Sequence, residues 1–216
     1  MSQIVPTILT NDRARYYSYY QTFATFAKRV QVDITDGIFA PTRTIDVSNA
    51  LHEQNWPPMD LHMMVMRPSE HLPIILKLKP SLCIFHAECS ENLLPIFDTL
   101  KKAGIKTGVA ILKQTYPGKL TPYIQQADHC LIFAGKLGEQ GGEADMLQIE
   151  KVPIIRKINS AIEIGWDGGA NMSNVRALAH SDIDIINVGS AFSNTEDPKK
   201  LYEELNQESE KQGVCL

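Results

Sequence analysis

Eight short apolar runs, each followed by a stretch of helical character, constrain this chain more than any other feature. They are Ile4–Leu9 (IVPTIL), Val30–Thr35 (VQVDIT), Met59–Val65 (MDLHMMV) and Leu82–Glu88 (LCIFHAE). Lys106–Leu112 (KTGVAIL), His129–Ala134 (HCLIFA), Ala161–Trp166 (AIEIGW) and Ile183–Gly189 (IDIINVG) complete the set. Strand runs alternating with helices predict β-α-β units and a parallel sheet. Helices are expected, for example, over Asn92–Ala103 with Gly104 as its C-cap, and over Pro198–Glu208. Eight such units in 216 residues suit one (β/α)8 TIM barrel filling residues 1–216, although barrels typically run to about 250 residues. A doubly wound open sheet is the alternative. It usually has fewer strands and a glycine-rich turn after the first, and PTILTNDRAR contains no glycine. No linker or low-complexity segment divides the chain.

Composition then narrows the function. A hydrophobic share of 44% is ample for a core. The net charge of −4 lacks the basic footprint of a nucleic-acid binder. Apolar runs such as Leu82–Phe85 are far too short for a membrane span. Asp12, Arg13 and Arg15 interrupt the N-terminal segment where a secretory signal needs an apolar stretch. Cys83, Cys89, Cys130 and Cys215 show no C-x-x-C pair and no zinc-finger spacing, so they read as reduced, small hydrophobes. Cys215 is next to last, which does not match a prenylation motif. The expectation is a cytoplasmic protein with no nucleic-acid or membrane partner.

The second run carries the chemistry. Side chains alternate along a strand, so Gln31, Asp33 and Thr35 share one face and Val32 and Ile34 the other. A carboxylate aimed into a sheet interior costs several kcal/mol unless it is paired or meets a cation. In a (β/α)8 barrel the active site lies at the C-terminal strand ends. Thr7, Asp33, His62, His86, Glu88, Asp167 and Gly189-Ser190 all fall at such ends. The polar residues gather where chemistry is expected.

Taken together, PTIL, VQVDITDGIFAP, MDLHMMVMRP, FHAECSEN, WDGGAN and VGSAFSNTEDP resemble the ribulose-phosphate 3-epimerase family, in order and over nearly the whole chain. The resemblance implies a barrel of the ribulose-phosphate-binding type and a metal-dependent sugar-phosphate 3-epimerase. Its expected substrate pair is D-ribulose 5-phosphate and D-xylulose 5-phosphate. It further implies one divalent metal ion (Zn, Fe, Mn or Mg) held by four side chains. Asp33, His62 and Asp167 carry over directly; the fourth position, a histidine in the family, is Gln31.

Epimerisation removes a proton beside a carbonyl and returns one on the opposite face. Two acid/base groups across the sugar can do this, and Asp33 and Asp167 are the candidates, with His62 near the substrate oxygens. Backbone N–H groups at Gly168-Gly169 and Gly189-Ser190 are candidates for the phosphate, with Gly138 and Gly141 in the loop after the sixth strand and Thr7 beside the substrate. That loop, GKLGEQGGEAD, sets Glu139 and Gln140 among its glycines, an odd neighbourhood for an anion. A small phosphorylated sugar is the implied ligand, and family analogy adds a homo-oligomer.

Plainer readings apply to other residues. Asp36 precedes Gly37 and reads as a turn carboxylate. His86 and Glu88 are assigned the shaping of the fourth strand end, without catalysis. His52, His71, His129 and His180 read as surface or packing residues. The HMMVM methionines read as core, with one of them in reach of the site. A competing reading of another class is a phosphosugar-binding barrel, non-catalytic or altered in substrate, that has lost tight metal binding through Gln31. An aldolase or decarboxylase relative needs a lysine in D-x-K-x-x-D, and DITDG has none.

Overall fold

Parallel pairing runs from each strand to the next in sequence order and closes on itself. The computed structural model describes residues 2–50, 53, 55–139 and 141–212. His52, Gln140 and Cys215 lie outside the described residues. The strands are β1 Gln3–Ile8, β2 Val30–Thr35, β3 Met59–Met64 and β4 Leu82–His86. β5 Lys106–Ile111, β6 His129–Phe133, β7 Glu163–Asp167 and β8 Ile185–Val188 close the barrel against β1.

The helices between them are α1 Arg13–Ala24, α2 Leu72–Leu78, α3 Leu93–Lys102, α4 Thr121–Gln126 and α5 Lys151–Ile158. They continue with α6 Val175–Ala179, α7 Ser190–Ser193 and α8 Pro198–Glu210. The β2–β3 connection departs from the expected alternation: among the described residues it carries only a 3₁₀ turn at Val47–Asn49. α3 follows its sequence signals closely. The Asn92 side chain accepts a hydrogen bond from the Leu94 N–H, and Gly104 takes φ +77° just past the helix. Its buried Leu93, Ile96, Phe97 and Leu100 form one face toward the sheet.

Two strand boundaries moved. β7 starts at Glu163 and includes Asp167, because Asn159 turns the preceding chain by accepting the Ala161 N–H. β8 stops at Val188, because Gly189 already has helical φ and ψ at the start of α7.

Alternation sorts the side chains into two compartments. Val30, Val32 and Ile34 point outward and pack with Tyr16, Tyr20 and Phe23 of α1 in the sheet–helix core. Leu82, Ile84, Ala110 and Leu131 fill the barrel interior. Cys83 and Cys130 are buried, free and outward-facing, as small hydrophobes would be. No helix among the described residues is long and apolar enough to cross a membrane.

The N-terminal end of the barrel is sealed by polar groups. Arg29 donates to Asp60 through Nε, and to both Glu163 oxygens through Nη1 and Nη2 at 2.9 Å each. His129 Nδ1 lies 2.8 Å from Glu163 Oε2. Burial pushes the Asp60 carboxyl up to about 7, even with Arg29 beside it. Burial also drives Glu163 upward, but hydrogen bonds from His129 and Arg29 outweigh it and hold that carboxyl well below the usual range. His129, expected as a surface or packing residue, is an interior member of this network. Gly165 makes room for it: a Cβ there would lie 2.5 Å from the His129 Nε2.

Candidate active site

At the opposite end the same alternation raises a second polar cluster. Gln31 and Asp33 on β2, His62 on β3, His86 on β4 and Asp167 on β7 all face inward. Register sets Asp33 beside His62 and Asp167 beside Asn187. β2 and β7 are separated by β1 and β8 around the barrel. Even so, ligand atoms of Asp33, His62 and Asp167 lie within 4.8 Å of one another.

What joins them is Gln31. Its Nε2 donates to Asp33 Oδ1 at 2.9 Å and to Asp167 Oδ2 at 2.6 Å. His62 Nδ1 is 3.0 Å from Asp33 Oδ1 and 3.4 Å from Asp167 Oδ2. Its Nε2 meets the His86 Nε2 at 2.9 Å. His86 Nδ1 in turn faces Glu88 Oε2 at 3.6 Å, and Glu88 Oε1 accepts from the Leu112 N–H. A chain of contacts therefore runs from the paired carboxylates through two imidazoles to Glu88.

Electrostatics separates the two histidines. Burial drives both down. For His62 the hydrogen bonds to Asp167 and Asp33 outweigh it and raise the imidazole to about 9. For His86 burial, with His62 adding to it, outweighs the help of Glu88 and Asp167 and leaves the imidazole at about 4. The opposite shifts favour a proton on His62 that the His86 nitrogen accepts. Burial pushes the Asp33 carboxyl up to about 6, despite hydrogen bonds from His62 and Gln31.

The cluster opens into a cleft at the C-terminal strand ends. Asp33 and Asp167 line it with Thr7, Gly138, Gly141, Gly168, Gly169, Gly189 and Ser190. The expected residues therefore converge, and all but two of them line the cleft. His62 and Gln31 are fully buried and do not line the cleft, and His62 contacts the two carboxylates.

The glycines are required by close backbone approach. A Cβ on Gly168, at φ +111°, would fall 2.1 Å from the Gly135 nitrogen, and one on Gly169 2.3 Å from the Ala144 nitrogen. Asn171 and Asn174 side chains both donate to the Gly169 carbonyl at 2.9 Å and hold the loop. In the next loop, Lys136 and Glu139 face each other at the rim, 4.0 Å apart. Asp36, read as a turn carboxylate, accepts from the Ile38, Phe39 and Met66 N–H groups.

Sequence reasoning missed Asn187, Phe133 and the part played by His86, and left open which methionine reaches the site. It is Met64, which lines the cleft while Met63 points into the outer core. Asn187 was legible by the alternation that marked Asp33, as an inward polar residue in IINVGS.

The donors present fit a divalent ion. Asp33, His62 and Asp167 each offer one atom to a common point. Gln31 Oε1 is buried with no partner among the described residues. Turning the amide over would set that oxygen against two carboxylates, which is tenable only with a cation between them. One imidazole with three oxygens favours a harder ion than two imidazoles would.

Fold and rim together define the class, a (β/α)8-barrel enzyme with its chemistry at the C-terminal strand ends. Residues 3–193 match the family model of the ribulose-phosphate 3 epimerase family. A ribulose-phosphate 3-epimerase of Mycobacterium leprae (strain TN) is 31% identical over 205 residues, covering 90% of this chain and 89% of that one. One from Helicobacter pylori (strain ATCC 700392 / 26695) is 23% identical over 209 residues, covering 94% and 96%. Among solved structures, 3-hexulose-6-phosphate synthase from Salmonella typhimurium superposes with a TM-score of 0.73 at 14% identity, covering 96% of this chain and 98% of that one. That likeness concerns the fold alone. The chain belongs to the ribulose-phosphate 3-epimerase family, and is an isomerase acting on carbohydrates.

Proposed function

We propose that this enzyme interconverts D-ribulose 5-phosphate and D-xylulose 5-phosphate by moving the C3 proton between Asp33 and Asp167. The observation that carries the reading is the pair of carboxylates brought together from β2 and β7 at the floor of a glycine-rimmed cleft. One aspartate takes the proton from one face of the sugar, and the other returns a proton to the opposite face. The His62 imidazolium, hydrogen-bonded to both, holds the two carboxyl groups in place and steadies whichever carries charge. Backbone N–H groups of Gly168, Gly169, Gly189 and Ser190, with Gly138 and Gly141 across the cleft, hold the phosphate. With His62 deprotonated, Asp33, His62, Asp167 and the Gln31 oxygen would hold a divalent ion in place of the shared proton. When bound, it supplies Lewis-acid polarisation of the substrate carbonyl. The setting proposed is cytoplasmic, and the protomer is proposed to self-associate.

One observation favours a second reading. The Gln31 amide already bridges the carboxylates, so the cluster is held together by protein groups alone. A barrel that binds a phosphosugar but turns it over poorly follows from that. A coupled assay for D-xylulose 5-phosphate formation, run with metal analysis of the purified protein, separates the two. Turnover supports the epimerase. Binding of D-ribulose 5-phosphate with no turnover, with or without added manganese or zinc, supports the second reading.

A further inference from the structure

Asn187 is 2% exposed and lines the cleft, yet neither its Oδ1 nor its Nδ2 has a hydrogen-bond partner among the described residues. On neighbouring β1, two residues beyond Val5, the register partner of Asn187, Thr7 is 5% exposed, lines the same cleft, and has an unpartnered Oγ1. Nearly all buried polar groups in folded proteins are paired, and leaving one unpaired is costly. Three unmet polar atoms on adjacent strands, all at one cleft, mark a place prepared for a polar group from outside the chain.

Register tells which group. Asn187 pairs with Asp167 across β7–β8, so it stands at the level of the proposed proton-transfer carboxylates. Two residues further along the same inward face comes Gly189, at the proposed phosphate end. On the other side, β1 and β8 pair through Pro6 and Val188, which sets Thr7 level with Gly189. Asn187 and Thr7 therefore span the interval between the reacting carbon and the phosphate. In a pentulose 5-phosphate epimerised at C3, that interval holds C4 and its hydroxyl.

We propose that Asn187, with Thr7 beside it, binds the hydroxyl on the carbon between the reacting carbon and the phosphate, and so makes the site selective for ketose phosphates that carry it. A hydroxyl both donates and accepts. The carboxamide offers Nδ2–H as donor and Oδ1 as acceptor, and the threonine hydroxyl can serve as either. A site built to hydrogen-bond a hydroxyl discriminates against the analogue that lacks it, because the buried partners are then left unmet. This inference rests on the epimerase reading.

The test compares D-ribulose 5-phosphate with its 4-deoxy analogue, on wild type and on Asn187→Leu, a change of similar volume that removes both unmet atoms. Wild type should show kcat/KM roughly 10- to 100-fold lower for the 4-deoxy compound, the effect of one or two lost hydrogen bonds. In Asn187→Leu, kcat/KM for D-ribulose 5-phosphate should fall by a similar factor while that for the 4-deoxy compound is unchanged. Melting temperature should hold or rise, since the ligand-free protein loses an unsatisfied group. Affinity for inorganic phosphate should stay as in wild type. Equal kcat/KM for the two compounds in wild type overturns the proposal, and needs no variant that folds. So does an Asn187→Leu protein that melts lower but keeps its preference, which would make Asn187 a structural residue. Failure of the epimerase reading looks different: wild type then shows no turnover of D-ribulose 5-phosphate.

Discussion

The two ends of the barrel carry nearly the same inventory and differ in kind. Each has two carboxyl side chains, one cation and one further histidine. At the N-terminal end these are Asp60, Glu163, Arg29 and His129; at the C-terminal end, Asp33, Asp167, His62 and His86. The cation makes the difference. A guanidinium keeps its proton at any physiological pH and grips carboxylates with a rigid fork, so the lower cluster is a fixed tie between the residue entering β2 and strands β3, β6 and β7. An imidazolium can release its proton. Around His62, groups raised to about 6 and about 9 and lowered to about 4 stand in contact. The same kinds of residue make a rivet at one end and a site for moving protons at the other.

The largest test of that contrast is catalytic. Asp33→Asn and Asp167→Asn should each lower epimerisation by about 10²–10⁴, the usual worth of an acid/base group. Circular dichroism should stay native. Near-normal turnover in either variant would remove the two-aspartate mechanism and leave the upper cluster as a second rivet.

Next comes the lower cluster itself. Arg29→Met strands Asp60, whose side chain is 2% exposed, as a buried carboxyl without its partner. Breaking such a pair typically costs about 3–5 kcal/mol, read in urea unfolding, while kcat of the remaining folded protein should hold. A loss of kcat with stability intact would mean the two ends are coupled.

The Gln31→His variant sharpens the comparison at the upper end. A second imidazole is a better zinc donor than an amide oxygen, so zinc should bind more tightly, by on the order of tenfold, with manganese less affected. Titration of metal-free wild type and variant would read this directly, and equal affinities would show that Gln31 is no ligand.

The smallest effect is the acid limb of stability. The Glu163 carboxyl is depressed in the fold, so its contribution is fully present above the unfolded value near about 4.3, and is lost as pH falls below it. Wild type should therefore be more stable than Glu163→Gln at neutral pH, and the gap should close on acidification. A gap independent of pH would mean Glu163 acts by packing, not charge.

Much of this was legible in the residues. The eight apolar runs are the eight strands, shifted by a residue or two at most ends, and the alternation in VQVDIT placed Gln31 and Asp33 inward as read. The absent β2–β3 helix among the described residues was not legible, and neither was the late start of β7, which a local turn at Asn159 sets. The partner of His129 was not legible either. That partner, Glu163, lies 34 residues away, and only closure of the barrel joins them.

Periodicity along the chain, by itself, determined the barrel and which side chains look into it, since a strand's two faces follow from backbone geometry alone. It also determined that Asp33 needed a partner, because desolvation of a carboxylate is costly wherever it occurs. Only the tertiary structure decided what that partner is. Gln31, by sequence at a metal-ligand position, also donates its amide to two carboxylates from strands far apart in sequence. His62 is shifted upward because Asp33 and Asp167 converge on one of its nitrogens, and His86 downward because burial there outweighs Glu88 and Asp167. Charge states depend on distances between strands, and those exist only once the barrel has closed.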